Sequence, residues 1–208
     1  MPKLRTTLAI ACFAMSSLSP SMAQEQQSAA TSANNRPALS SLTPEERLAQ
    51  TIFIAVDSAT ADEKREAIEK GLVGGVLLQW GDYSLEQTKA LAQKLQSWAA
   101  KSPSRVPLLL AADYEGGTVF TPATLGLPNL PSNMMMGSSA DDKDSAVLFY
   151  LAGVEIRKVG IHINFAPVLD VNTNSANPII GVRSFGSDPE LVSRMGISVI
   201  RGLQAAGV

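Results

Sequence analysis

Short apolar runs alternate along the chain with longer segments in which apolar residues recur at helical spacing. The runs are too short for core helices and contain few polar residues, which is typical of strands buried on both faces. The predicted strands are residues 51–56, 75–79, 106–112 and 161–169, and the predicted helices are residues 62–70, 84–100, 140–159 and 189–206. Buried strands that alternate with helices predict a parallel sheet covered by helices, the arrangement of an α/β protein.

Two of the helix starts carry recognisable capping residues. Thr43 stands three residues before Glu46, which is the spacing of a capping box, and a proline occupies the first helical position between them. Ser84 and Gln87 repeat that spacing at the start of a second helix. The first of these caps marks the start of the folded domain, which we assign to residues 41–208.

Two parallel α/β architectures fit this order of elements: a doubly wound open sheet and a TIM-type barrel. No G-x-G-x-x-G sequence follows the first strand, which weakens the dinucleotide-binding form of the open sheet. A barrel of eight βα units usually takes about 250 residues, whereas this chain of 208 residues carries four such units. The chain stops on Gly207-Val208, where a fifth strand would begin, so we expect a truncated TIM-type barrel.

The amino-terminal residues differ from the rest of the chain. Residues 1–23 have the three-part pattern of a secretory signal peptide, with basic residues, an apolar centre and small residues before the cleavage site. Removing this segment would remove the only cysteine and, with Lys3 and Arg5, would change the formal net charge from −2 to −4. Residues 24–40 are polar and aperiodic, which predicts a disordered linker. We therefore expect a periplasmic or secreted protein with no stable membrane span, and the lack of a basic stripe argues against nucleic acid as a partner.

Polar residues follow the third and fourth predicted strands, at the carboxyl ends where parallel α/β folds bind ligands. They are Asp113 with Glu115, Asp170 with Asn172 and Asn174, and Arg183. The Asp113 carboxylate has two interpretations: it bonds its own main chain in a turn, with the following glycines at positive φ, or it accepts hydrogen bonds from ligand hydroxyls. Arg183 is either solvated or paired with a neighbour such as Asp188, or it donates to ligand oxygens.

Other candidate chemistry is sparse. His162, the only histidine, lies inside a strand pattern without a cysteine or second histidine beside it, so we interpret it as a core residue and predict no zinc site. Met134, Met135 and Met136 are interpreted as core-filling residues. The sequence has no G-x-S-x-G nucleophile motif, and it indicates no metal or organic cofactor.

Six segments in the same order resemble the N-terminal domain of glycoside hydrolase family 3, in the branch of bacterial β-N-acetylglucosaminidases. The similarity runs from Leu42 to Val208. The segments are LTPEERLAQTIF, GLVGGVLLQWGD, PLLLAADYEGGTV, GIHINFAPVLDVNTN, NPIIGVRSFGSDPELV and IRGLQAAGV. The resemblance implies a TIM-type barrel and a retaining, exo-acting glycosidase that hydrolyses terminal β-linked sugars and needs no cofactor.

The resemblance also implies roles for individual residues. Asp113 matches the aspartate that holds sugar hydroxyls, and Arg183 matches an arginine that contacts the sugar. Thr118 and Thr121 stand where the family usually has arginines, which puts the preference for N-acetylglucosamine in question. The family's aspartate nucleophile and its histidine acid/base group would lie beyond residue 208. We therefore assign no catalytic residue here and expect this fragment to be inactive alone.

The expected function is that of a β-N-acetylhexosaminidase acting on an amino-sugar glycan, such as murein or chitin fragments. A β-glucosidase or xylosidase of the same family is the nearer alternative. A non-catalytic, sugar-binding half-barrel is the alternative if the chain truly ends at Val208.

Overall fold

The computed structural model describes residues 39–78, 84–117, 127–139 and 141–208. Its strands are β1 (Phe53–Val56), β2 (Gly75–Leu78), β3 (Leu109–Ala112) and β4 (Ile163–Asn164). Its α-helices are α1 (Pro44–Ala49), α2 (Arg65–Glu69), α3 (Leu85–Ala99), α4 (Asn133–Ser139), α5 (Asp142–Lys158) and α6 (Pro189–Ala205). Short 3₁₀ helices cover Leu39–Ser41, Ala61–Lys64 and Gly181–Arg183.

The four strands form one parallel sheet in the order β1-β2-β3-β4. Each strand therefore pairs with the next one along the chain, as in a barrel. A doubly wound open sheet would reverse the strand order at a switch point. The sequential order confirms the TIM-type α/β fold, here as a partial barrel.

The predicted helix caps are present. The Thr43 hydroxyl accepts from the Glu46 N–H at 3.1 Å, and the Glu46 carboxylate accepts from the Thr43 N–H at 2.8 Å. Ser84 and Gln87 make the same pair of bonds at 3.2 and 2.7 Å. These local bonds satisfy amide groups that the first helical turn cannot pair internally.

One face of the sheet packs against helices. Val56, Val76 and Leu110 are completely buried on this face, together with side chains of α5 and α6 such as Phe149 and Val199. Because side chains alternate along a strand, the neighbouring residues point to the opposite face.

The opposite face of the sheet remains partly exposed. Phe53 and Leu109 lie on it, and the Phe53 ring meets Phe165 edge-to-face with ring centroids 6.4 Å apart. Gly75 lies between Phe53 and Leu109 in the register, and a Cβ there would stand 2.3 Å from the Phe53 ring.

Strand β4 is shorter than the apolar run predicts. Pairing with β3 begins at His162, whose N–H donates to Leu110 O, and ends at Phe165, whose N–H donates to Ala112 O. Pro167 follows two residues later and has no N–H to continue a ladder. The predicted strand over residues 161–169 is therefore wrong beyond this point.

Helix α4 was not predicted, and it corrects the interpretation of the three methionines. Met136 is buried, whereas Met135 is 65% exposed. A helix of this length presents successive side chains to different sides, so the triplet cannot fill the core as a unit.

Several predictions lie outside the described residues. They concern the signal peptide at residues 1–23, most of the linker at residues 24–40, and Thr118 and Thr121. Export of the protein therefore stays a prediction. Within the described ranges, no helix combines the length and apolar character required to cross a bilayer.

Candidate substrate-binding site

The loop after β3 is shaped by two glycines in left-handed backbone conformations. Gly116 has φ +91° and Gly117 has φ +67°. A Cβ on Gly116 would lie 2.5 Å from Pro131 O, and the Gly117 N–H donates to Leu130 O at 2.9 Å. Glycine is thus needed both for the turn and for close packing. The turn predicted for this pair of glycines is confirmed.

Glu115 and Arg183 form a two-point ion pair. Arg183 Nε donates to Glu115 Oε2 at 2.9 Å, and Nη2 donates to Oε1 at 2.8 Å. The Glu115 side chain is only 5% exposed and that of Arg183 26%. The hydrogen bond to Glu115 raises the pKa of the guanidinium. The suggested partner Asp188 is wrong, since its side chain instead caps α6 by accepting from the Glu190 N–H.

Helix α4 positions the loop that carries Arg183. The buried Asn133 amide donates to Arg183 O at 2.6 Å. Gly137 allows the helix to approach closely, because a Cβ there would lie 1.9 Å from Phe185 O. Arg183 Nη1 also makes a longer bond, of 3.4 Å, to Ile179 O. Arg183 is therefore held at its main chain by Asn133 and at its guanidinium by Glu115 and Ile179 O.

Asp113 lies beside this ion pair, close enough for both charges to act on its carboxylate. It is partly buried, and within the part of the chain that the structure describes, nothing donates a hydrogen bond to it. Burial raises the pKa of Asp113, the negative charge of Glu115 raises it further, and Arg183 partly offsets both. Among the described residues of its own turn, 114–117, none donates a hydrogen bond to this carboxylate. The structure brings the two predicted substrate-binding residues, Asp113 and Arg183, to the same place.

The remaining predicted polar residues mainly shape the loop after β4. The main-chain oxygen of Asp170 accepts from Ser184 Oγ at 2.6 Å, while its side chain is exposed. The Asn172 N–H donates to Gly186 O at 2.9 Å, and Asn174 Oδ1 accepts from the Ala176 N–H at 3.0 Å. These bonds fold the chain back toward Arg183.

The His162 side chain takes part in the contact between β3 and β4. Its Nδ1 accepts from the Leu110 N–H at 3.1 Å, as expected of a histidine with a structural hydrogen bond, but the residue is only half-buried. Among the residues described, no three His, Cys, Asp or Glu side chains are grouped so as to hold a metal ion.

Two polar residues of the site were missed by sequence reasoning. Asn133 stands before the methionine triplet and had no recognisable pattern. Asn164 lies inside the apolar run IHINFAPVL, and an amide in such a run was an available signal. Its side chain bonds the main chain of Tyr114, with Oδ1 accepting from the N–H at 2.8 Å and Nδ2 donating to the carbonyl at 3.0 Å.

The charges in the site lead to a titration prediction. Glu115→Gln removes a negative charge that raises the pKa of Asp113 and leaves the opposing charge of Arg183 in place. We expect the pKa of Asp113 to fall, as measured by the pH dependence of its carboxyl ¹³C shift in the labelled chain. Asp57 serves as an internal control, because its pKa is lowered chiefly by hydrogen bonds from Thr60. An unchanged or higher Asp113 midpoint would contradict this description of the site.

Comparison with known proteins places this geometry in a family. The sequence profile of the glycosyl hydrolase family 3 N-terminal domain matches residues 43–208. Beta-hexosaminidase A of Pseudoalteromonas piscicida is 35% identical over 150 residues, covering 70% of this chain and 25% of that protein. A beta-N-acetylglucosaminidase/beta-glucosidase of Cellulomonas fimi is 31% identical over 174 residues, covering 83% of this chain and 29% of that protein.

A solved structure shows the same fold. It is that of a glycoside hydrolase family 3 beta-N-acetylglucosaminidase from Paenibacillus sp. str. FPU-7, with a TM-score of 0.74 and 37% identity. The match covers 81% of this chain and 32% of that one. The chain thus spans between a quarter and a third of the length of these three proteins. The chain belongs to glycosyl hydrolase family 3 and carries that family's N-terminal domain.

Proposed function

We propose that this domain forms the sugar-binding part of a retaining exo-glycosidase that releases terminal β-linked N-acetylglucosamine from glycans such as murein or chitin fragments. The observation that carries the proposal is the meeting of an available carboxylate, Asp113, with the ion-paired Arg183 beyond the carboxyl ends of β3 and β4. Ligands of parallel α/β folds bind at this edge of the sheet. The names of the relatives supply the sugar: all three are named as hexosaminidases or N-acetylglucosaminidases, and one is also named as a beta-glucosidase.

The two side chains are complementary to a pair of sugar hydroxyls. Asp113 offers only acceptors when ionised, and bonds to a charged acceptor are roughly twice as strong as neutral ones. A guanidinium has five N–H groups, and Arg183 donates three of them to described residues. The other two, on Nη1 and Nη2, are left to donate to a sugar oxygen.

We further propose that the nucleophile and the acid/base group come from outside residues 1–208, so that this chain alone does not hydrolyse glycosides. Retention by a pair of carboxylates requires them about 5–5.5 Å apart, one of them free to attack the anomeric carbon. Glu115 is unsuited to that role because both of its oxygens accept from Arg183. The longer relatives support the proposal, because this chain spans at most a third of their length.

The substrate is tested with the complete gene product and p-nitrophenyl glycosides. We expect faster release of p-nitrophenol from the β-N-acetylglucosaminide than from the β-glucoside or β-xyloside. The first-formed sugar should be the β anomer in ¹H NMR, because double displacement retains configuration.

Two results would contradict this proposal. A preference for the glucoside would favour the second candidate, a β-glucosidase, which the double name of the Cellulomonas fimi relative makes worth testing. Sugar binding without hydrolysis by a complete gene product that ends at Val208 would instead indicate a non-catalytic, sugar-binding half-barrel.

A further inference from the structure

The side chain of Asn164 makes a two-point contact with the loop that carries the sugar-binding carboxylate. Its amide oxygen and amide nitrogen engage both main-chain groups of one residue, Tyr114, at 2.8 and 3.0 Å. The contact joins positions 50 residues apart in sequence, across the β3–β4 pair at the carboxyl end of the sheet. An amide is suited to this task because it carries one acceptor and two donors in a plane.

Tyr114 lies between Asp113 and Glu115 in the sequence, so the orientation of its main chain affects the positions of both acidic side chains. Its own side chain is completely buried, and its hydroxyl donates to Pro128 O. The Tyr114 main chain is thus fixed by its ring on one side and by Asn164 on the other. Any rotation of these peptide groups would turn Asp113 away from the site and pull Glu115 away from Arg183.

We propose that Asn164 is a positioning residue for the sugar site: it orients Asp113 directly through the loop and Arg183 indirectly through Glu115. This inference rests on the proposed function, because it assigns the positioned groups to sugar binding. Asn164 itself need not touch the sugar. A misplacement of about 1 Å in a binding group can cost about 10²-fold in rate, so the effect is expected to be large.

The chain offers a matched control in Gln96 of α3. Its side chain makes the same two-point contact with the main chain of Leu108, at 2.8 and 3.0 Å. Leu108 precedes β3 and lies at the opposite end of that strand from Tyr114. Gln96→Ala and Asn164→Ala therefore each remove two hydrogen bonds between a side chain and the main chain at one end of β3. Only Asn164→Ala removes them at the end beside the site.

The first measurement is kinetic. In the complete gene product, acting on p-nitrophenyl β-N-acetylglucosaminide, we expect Asn164→Ala to lower kcat/KM by about 10²-fold and Gln96→Ala to retain the wild-type value. Both values are corrected for the folded fraction, obtained from urea unfolding. Equal losses in the two variants, or no loss in either, would overturn the positioning role.

The second measurement reports on the ion pair without requiring activity. In the ¹⁵N-labelled complete gene product, the Nε–H resonance of Arg183 should shift and exchange faster in Asn164→Ala and remain unchanged in Gln96→Ala. A merely stabilising role would not move this resonance in the folded protein. An unperturbed Arg183 signal in Asn164→Ala would overturn the inference.

A second variant covers the case in which Asn164→Ala does not fold. Asn164→Asp keeps the shape and the acceptor for the Tyr114 N–H, but it cannot donate to the Tyr114 carbonyl. Asn164→Asp should also lower kcat/KM and shift the Arg183 Nε–H resonance, and wild-type kcat/KM in this variant would overturn the inference.

If wild-type protein has no activity on any β-glycoside, the proposed function itself fails and this inference fails with it. If the wild-type protein is active but Asn164→Ala and Gln96→Ala do not differ in kcat/KM, only the inference fails and the proposed function stands.

Discussion

Asp113→Asn should lower kcat/KM of the complete gene product by orders of magnitude, up to about 10⁴-fold, without unfolding it. The carboxylate receives no hydrogen bond from the described residues, and we assign its acceptor oxygens to sugar hydroxyls. The variant keeps the shape but replaces one charged acceptor with an amide donor, which leaves sugar hydroxyls poorly matched. The measurement is steady-state kinetics with p-nitrophenyl β-N-acetylglucosaminide.

The same substitution should leave stability unchanged or raise it at neutral pH. Burial and Glu115 raise the pKa of Asp113, so the folded state disfavours its ionised form. A carboxyl group with a raised pKa in the folded state penalises folding once the pH exceeds its unfolded pKa, and the penalty is complete above the folded pKa. A neutral amide removes the penalty. Lower activity with equal or higher stability in urea unfolding is the pattern expected of a binding residue.

Asp57 provides the matched control for Asp113. It also follows a strand of the sheet, but its carboxylate already accepts from the N–H and the hydroxyl of Thr60. Asp57→Asn retains an acceptor for these bonds and should show near wild-type kinetics. Near-normal kinetics in Asp113→Asn would refute its assignment to sugar binding, and equal losses in both variants would point to a general effect on the fold.

The fold was predictable where its determinants are local. The capping pairs Thr43–Glu46 and Ser84–Gln87 act across three residues, and both are present. The buried strands are recognised by their apolar runs, and their order in the sheet followed from the repeated βα pattern. Strand β4 was overestimated because an apolar run reports burial, whereas strand pairing also needs a continuous row of N–H and C=O groups.

The site was predictable only in part. The positions of Asp113 and Arg183 at the carboxyl ends of strands placed both on one edge of the sheet, and the family resemblance gave them roles. The partner of Arg183 was not predictable from spacing, because Glu115 is 68 residues away in sequence and Asp188 is near. Local spacing suggests nearby partners, while tertiary packing selects distant ones. Asn164 was overlooked for the same reason, since its bonds to Tyr114 also depend on the pairing of β3 with β4.

Arg183→Leu should destabilise the domain by about 3–5 kcal/mol and abolish most of the activity of the complete gene product. The substitution leaves the Glu115 carboxylate buried, with 5% of its side chain exposed, and without its two donors. The loss of stability should be measured by urea unfolding at neutral pH. The exposed pair Lys70–Glu66 is the control: its side chains are 62% and 78% exposed, so Lys70→Leu should leave the free energy of unfolding nearly unchanged.

Combining Arg183→Leu with Glu115→Leu separates the two roles of the arginine. Replacing both members of a buried ion pair with apolar residues is often neutral for stability, so the double variant should recover most of the free energy of unfolding lost by Arg183→Leu. It should not recover kcat/KM, because the two N–H groups assigned to the sugar remain absent. Recovery of activity together with stability would mean that Arg183 only neutralises Glu115, and its contact with the sugar would be excluded. Recovery of stability without activity would assign the guanidinium to both the fold and the ligand.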